Sequence, residues 1–228
     1  MNNLPKGIIF DMDGVLVDSE PFIIKASMQM FAELGLEISR DDFYPFTGMG
    51  ENRFIGGVAE KYNFPVDIQQ AKKRTYDIYL KIIKGELKPL AGAKEFVNHC
   101  RRLGKKIAIA SSADLRKVEG NLVELDLPAK LFDAVVAGED VKNKKPAPDI
   151  FLLAAERIGL NPKDCLVIED APSGIKAGKA AGCKCLAIMS SFTPAQLDGA
   201  DFFAPDLAHV PEKAINWKFK KTDRPEIA

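Results

Sequence analysis

Hydrophobic positions fall into two alternating patterns along the 228 residues. Short unbroken apolar runs occur at "GIIF" (7–10), "KIAIA" (106–110), "DAVVA" (133–137), "CLVIE" (165–169) and "CLAIM" (185–189), with a shorter one at "DFFA" (201–204). Runs of this length and composition predict strands buried on both faces. Between them the apolar positions step by three and four. Leu115, Val118, Leu122 and Leu125 share one helix face in "DLRKVEGNLVEL", as do Phe96, Cys100 and Leu103 in "AKEFVNHCRRLG", where Gly104 is placed to end the helix. "SGIKAGKAAG" predicts a short helix with Ser173 as its N-cap. Strands alternating with helices predict an α/β fold, a parallel sheet flanked by helices.

One interval departs from the alternation. From about 19 to 86, helical patterns follow one another with no convincing strand. Phe22, Ala26, Met30 and Leu34 recur every four residues, as do Phe54, Val58 and Tyr62. Ile68, Ala71, Thr75, Ile78 and Ile82 follow a 3–4–3–4 spacing, with Asp67 and Gln70 at cap positions. The expected organisation is a core of residues 1–18 and 87–217, a helical insertion at 19–86, and a charged, aperiodic tail at 218–228. Two crossings, near Val17–Glu20 and Gly85–Pro89, would join the insertion to the core as a hinge, and a ligand pocket is expected between the two parts.

Composition narrows the function. Lys plus Arg and Asp plus Glu both total 32, so no global field recruits nucleic acid or an anionic membrane. No apolar run reaches the roughly 18 residues of a membrane span, and "MNNLPKG" has no signal-peptide pattern. The four cysteines are too scattered for a disulfide scaffold, so a reducing cytoplasm is expected. Cys183 and Cys185 would point the same way from a strand and read as two core thiols rather than a metal pair.

Ligands of an open parallel sheet bind beyond the carboxyl ends of its strands. The first strand is followed by Asp11 and Asp13, the second by Ser111 and Ser112, the third by Lys144 and Lys145, and the fourth by Glu169 and Asp170, then Ser173 and Gly174. Each piece alone has an ordinary explanation as a turn, a cap or a solvated basic loop. Together they would place four carboxylates, one or two lysines and two serines in one crevice. Carboxylates that close repel by about 4 kcal/mol per pair at 4 Å and an effective dielectric near 20. An oxygen-only donor set points to a hard cation, Mg²⁺ above all, and Mg²⁺ with a lysine suits a phosphate group.

The segments "DMDGVLVDS", "IASSADL", "KKPAPDIF" and "VIEDAPSGI" closely resemble the four motifs of the haloacid dehalogenase superfamily, and the inserted helices resemble its α-helical cap in the β-phosphoglucomutase-like and phosphatase subgroup. The resemblance covers about residues 5 to 210. It implies a Rossmann-like core and Mg²⁺-dependent phosphoryl transfer. Asp11 would be the nucleophile that forms an aspartyl-phosphate, and Asp13 the general acid and base, touching the metal through its carbonyl. Ser111 and the backbone of Ser112 would bind the phosphoryl group, Lys145 would neutralise it, and Asp170 with Glu169 would hold Mg²⁺. Glu20, Glu51 and Arg53, with the turns "TGMG" and "FIGG", are the candidate substrate contacts of the cap.

A phosphatase for a small sugar or polyol phosphate is therefore expected, as a monomer or at most a dimer. The family's dehalogenases lack the second motif aspartate, which is present here as Asp13. Its sugar-phosphate mutases carry a cap histidine where this chain has Ile23, and Arg53 stands two positions from the expected cap arginine. A non-catalytic phospho-ligand-binding protein is the remaining alternative, and retention of Asp11 and Lys145 weighs against it.

Overall fold

The computed structural model describes residues 5–46 and 50–217; the 218–228 tail and positions 47–49 of the "TGMG" turn lie outside the described residues. Six strands build one sheet: β1 (Gly7–Phe10), β2 (Lys106–Ala110), β3 (Ala134–Val136), β4 (Cys165–Glu169), β5 (Lys184–Ile188) and β6 (Phe202–Ala204). They lie in the order β3-β2-β1-β4-β5-β6 and every neighbouring pair is parallel. β3 is one residue shorter at each end than its apolar run. Asp133 instead turns its carboxylate onto the Ile107 N–H (2.9 Å) and Lys106 (2.7 Å), stitching the edge to β2.

Helices α1 (Glu20–Glu33), α2 (Glu51–Lys61) and α3 (Ile68–Ile82) form the insertion. α4 (Ala93–Arg102), α5 (Leu115–Glu124), α6 (Asp149–Arg157), α7 (Pro172–Ala180) and α8 (Glu212–Asn216) alternate with the remaining strands. The two crossings run side by side: Val17 bridges Pro89, and the Leu90 N–H donates to the Leu16 carbonyl at 2.9 Å. Asp67 caps α3 by accepting from the Gln69 and Gln70 N–H groups. α1 buries Ala26 and Met30 of the expected stripe and also Ile23, Ile24, Ser27 and Phe31, whereas Leu34 is half exposed. Its buried face is thus wider than the one that the every-fourth-residue count marks, because α1 packs against both α3 and the core. Gly57 is needed for packing, since a Cβ there would stand 2.3 Å from the Phe46 ring.

Alternation along the strands feeds two apolar layers. Ile8 and Phe10 join a cluster that includes Phe96 of α4, Val118 of α5 and, continuously, Ile24, Met30 and Phe31 of the insertion. Ile9 faces the opposite layer, with Phe151 of α6, Ile175 of α7 and the thiols Cys165, Cys183 and Cys185. All four cysteines are free and buried. No described helix is long and apolar enough to cross a membrane.

The strand order places the site. From β1 the chain proceeds to β2 and β3 on one side, then returns to β4 on the other. Phe10 is in register with Ile109 and Ile168, so the residues after β1, β2 and β4 emerge side by side at the point where the winding reverses.

Candidate active site

Asp11 follows β1 directly, its N–H donating to the Ile168 carbonyl at 2.9 Å, and it is only 7% exposed. Its carboxylate meets Lys145, which comes from the loop before α6. The ammonium donates to Asp11 Oδ1 (2.5 Å), Glu169 Oε1 (2.7 Å) and the Ala110 carbonyl (3.1 Å). Lys144 turns away and donates to the Gly138 carbonyl. Of the two lysines, Lys145 is the one that reaches Asp11.

Glu169 ends β4 and is held from both sides. While Lys145 contacts Oε1, Oε2 accepts the N–H groups of Asp170 and Ala171, both at 2.9 Å. The α7 N-cap is Ala171, not the expected Ser173, and no side chain caps the helix; Glu169 instead binds the two N–H groups that precede its first turn. Asp170 accepts from Ser191 at 2.7 Å. Glycines let the acids close in. A Cβ on Gly174 would stand 1.8 Å from Glu169 Oε1, and one on Gly14, at φ +77°, 2.0 Å from Asp170 Oδ2.

Burial raises Asp11 well above the ordinary carboxylate range; Lys145 opposes that rise, and Glu169 and Asp170 add to it. Asp170 is pushed up to about 7, by burial first and then by Glu169. Burial alone would depress Lys145, but Asp11 and Glu169 outweigh it and raise it. Carboxylate oxygens of Asp11, Glu169 and Asp170 lie within 4.8 Å of one another. Three buried acids against one ammonium are short of positive charge, and all-oxygen donors at this spacing fit a hard divalent cation. This group of potential ligands does not include the side chain of Asp13.

Asp13 instead faces a cavity of about 90 Å³ between core and insertion, lined also by Ser19, Glu20, Ile23, Glu51, Phe54, Ser112 and Lys117. Ser19 donates to Asp13 Oδ1, and Lys117, on α5, approaches Oδ2 at 2.7 Å. Lys117 is 4% exposed; burial opposes its charge, but Asp13, Tyr79 and Glu51 outweigh that and raise it. Ser111 is 1% exposed and its hydroxyl accepts the Ala113 N–H at 3.1 Å.

Of the candidate cap contacts, Glu20 and Glu51 line the cavity and Arg53 does not. Arg53 lies in a separate surface groove, pairs with Glu60 at 2.6 Å and sits over the Phe46 ring at 5.1 Å. α2 begins at Glu51, so positions 51 and 53 point about 200° apart around the helix and only the first meets the core. Sequence reasoning missed Lys117 and Ser191. Ser191 obeys the rule that found the others, standing just past the end of β5, while Lys117 carried no signal beyond its place beside the apolar face of α5.

The sequence model of the family described as "Haloacid dehalogenase-like hydrolase" matches residues 8–188. The chain is 44% identical over 196 residues to "Protein SUPPRESSOR OF QUENCHING 1, chloroplastic" of Arabidopsis thaliana, covering 85% of this chain but only 19% of that protein. It is 33% identical over 177 residues to the "Phosphorylated carbohydrates phosphatase" of Thermotoga maritima, covering 78% of this chain and 82% of that one. The crystal structure of CbbY from Rhodobacter sphaeroides in complex with phosphate superposes with a TM-score of 0.81 at 26% identity, over 90% of this chain and 96% of that one. A mutant of that protein was solved in complex with xylulose-(1,5)bisphosphate, with the same TM-score and identity.

Proposed function

Since the chain belongs to the haloacid dehalogenase-like hydrolase family, we propose that it is a Mg²⁺-dependent phosphatase, hydrolysing a small sugar or polyol phosphate through a phosphoryl group carried on Asp11. The carrying observation is the convergence of Asp11, Lys145, Glu169 and Asp170 at the reversal point of the sheet. The sugar-phosphate class draws support from the name of the Thermotoga relative and from the phosphate and sugar bisphosphate bound in the CbbY structures.

In this reading a carboxylate oxygen of Asp11 attacks phosphorus while the bond to the leaving oxygen breaks, and Asp13 gives that oxygen its proton. Asp13 then takes a proton from a water that attacks the same phosphorus, the bond to Asp11 breaks, and inorganic phosphate leaves. Lys145 fixes the Asp11 carboxylate through Oδ1 and offsets the charge of the phosphoryl group. Ser111, with the Ser112 backbone, holds that group, and Lys117 and Ser19 order Asp13. Asp11, Glu169, Asp170 and the Asp13 carbonyl would hold Mg²⁺, which when bound screens the phosphate dianion from the attacking carboxylate. Phosphoryl transfer of this kind divides a very slow hydrolysis into two easier steps. The four buried free thiols suit a reducing compartment such as the cytoplasm.

Mutase chemistry is disfavoured by Ile23, which lines the cavity where the mutases carry a histidine. The experiment is p-nitrophenyl phosphate hydrolysis with Mg²⁺ and with excess EDTA, followed by a panel of phosphate monoesters read by released phosphate. Mg²⁺-dependent release is expected; an equal rate in EDTA would remove the metal.

A further inference from the structure

The cavity beside Asp13 is unusual for a pocket that takes phosphate esters, because it is lined by acids. The core supplies Asp13 and Lys117, and the insertion supplies Glu20 and Glu51. Among the described residues that line it, one ammonium, Lys117, already 2.7 Å from Asp13 Oδ2, serves three carboxylates. Glu51 is 9% exposed, and its Oε2 is buried without a well-formed hydrogen bond among the described residues. Neighbouring Tyr76, also buried, lies against Glu51 and the Asp114 backbone, but its hydroxyl closes a well-formed hydrogen bond with neither. Buried polar atoms left unpaired are uncommon, and in a cavity they mark where a ligand supplies the missing bonds.

The leaving group of a phosphate ester is expected in this cavity, and we propose that Glu51, facing Lys117, restricts it to uncharged hydroxyl-bearing groups and rejects those with a second anion. The inference rests on the phosphatase reading above and specifies its substrate. A ligand hydroxyl donates to Glu51 Oε2 and accepts from Lys117, completing two sets of bonds at once. A carboxylate or second phosphate in that position would face Glu51 and Glu20, and would compete with Asp13 for Lys117. Sites built to bond a hydroxyl discriminate strongly against analogues that cannot take its place. The sugar bisphosphate found in the CbbY mutant is thus not the kind of ligand this subsite selects.

The test uses matched pairs in which one hydroxymethyl group becomes a carboxylate: glycerol 3-phosphate against 3-phosphoglycerate, and erythritol 4-phosphate against erythronate 4-phosphate. The wild-type chain with Mg²⁺ is expected to favour the neutral member of a pair by at least about tenfold in kcat/KM. Glu51→Gln is expected to bring that ratio towards unity, mainly by raising KM for the polyol phosphate, and Glu51→Lys to invert it. Equal or better turnover of the carboxylates by the wild type, or no preference in either pair while p-nitrophenyl phosphate is hydrolysed, overturns the proposal and leaves the phosphatase reading standing. A Glu51→Gln variant that loses stability but keeps the wild-type ratio makes Glu51 a packing partner of Tyr76 and overturns it too. Absence of release from every monoester, p-nitrophenyl phosphate included, sinks both.

Discussion

Burial pushes Asp11 towards its neutral form, and Lys145, 2.5 Å away, opposes that push. Asp11→Asn keeps the shape and removes the proposed nucleophile, so turnover is expected to fall by about three orders of magnitude or more with the melting temperature little changed. A rate near wild type would exclude covalent transfer. Asp42 offers a separate test, remote from the chemistry. It accepts from Lys61 (2.5 Å), Tyr62 (2.6 Å) and the Ser39 N–H (2.8 Å), and its carboxyl is held well below the usual range, by Lys61 first and then Tyr62. A depressed carboxyl stabilises the fold above its unfolded value, near 3.9, and loses that contribution as pH falls towards the folded value. Asp42→Asn is thus expected to cost about 1–2 kcal/mol at pH 7, with the gap to wild type closing below about pH 4 in thermal melts. Asp11, Ser111, Lys145 and Asp170 were legible because each follows the end of a strand or lies in a motif, where local order fixes direction. Lys117 was not, since its burial depends on α3 and α5 meeting through Tyr79, which donates to Asn121 at 2.6 Å.

Among the elements, α7 is the one whose start bears on the chemistry. The Glu169 carboxylate binds the N–H groups just before the first turn of α7, and Gly174 leaves the room for it. Gly174→Ala puts a methyl group into that carboxylate, so a loss of about 1–3 kcal/mol in stability and a clear fall in kcat are expected, measured by denaturant melts and phosphate release. An unaffected variant would show that Glu169 has slack. Strands were legible nearly to the residue because a buried parallel strand is an unbroken apolar run. Helix faces were less so: α1 is sandwiched between α3 and the core, and a helix covered on two sides buries more than the single stripe that spacing marks.

For the molecule as a whole, one apolar cluster runs from Ile8 and Phe10 into the insertion, so the wall of the cavity and the floor of the phosphate site share packing. The Lys72–Asp114 (2.7 Å) and Arg116–Asp77 (2.5 Å) pairs link α3 to α5 and its N-cap across the same seam. This explains why the cavity residues came from distant stretches of sequence, and why position 51 rather than 53 could be recognised only once the seam was built. The proposed function stands on transfer of a phosphoryl group onto Asp11. The decisive assay mixes the Asp13→Asn variant with Mg²⁺ and p-nitrophenyl phosphate, whose leaving group needs little help from an acid, and follows nitrophenolate and intact protein mass together. Asp13→Asn should still accept the phosphoryl group but be slow to pass it to water, so the chain should gain the mass of one phosphoryl group, carried on the peptide containing Asp11. Nitrophenolate released with no phosphoryl group on the protein would refute it.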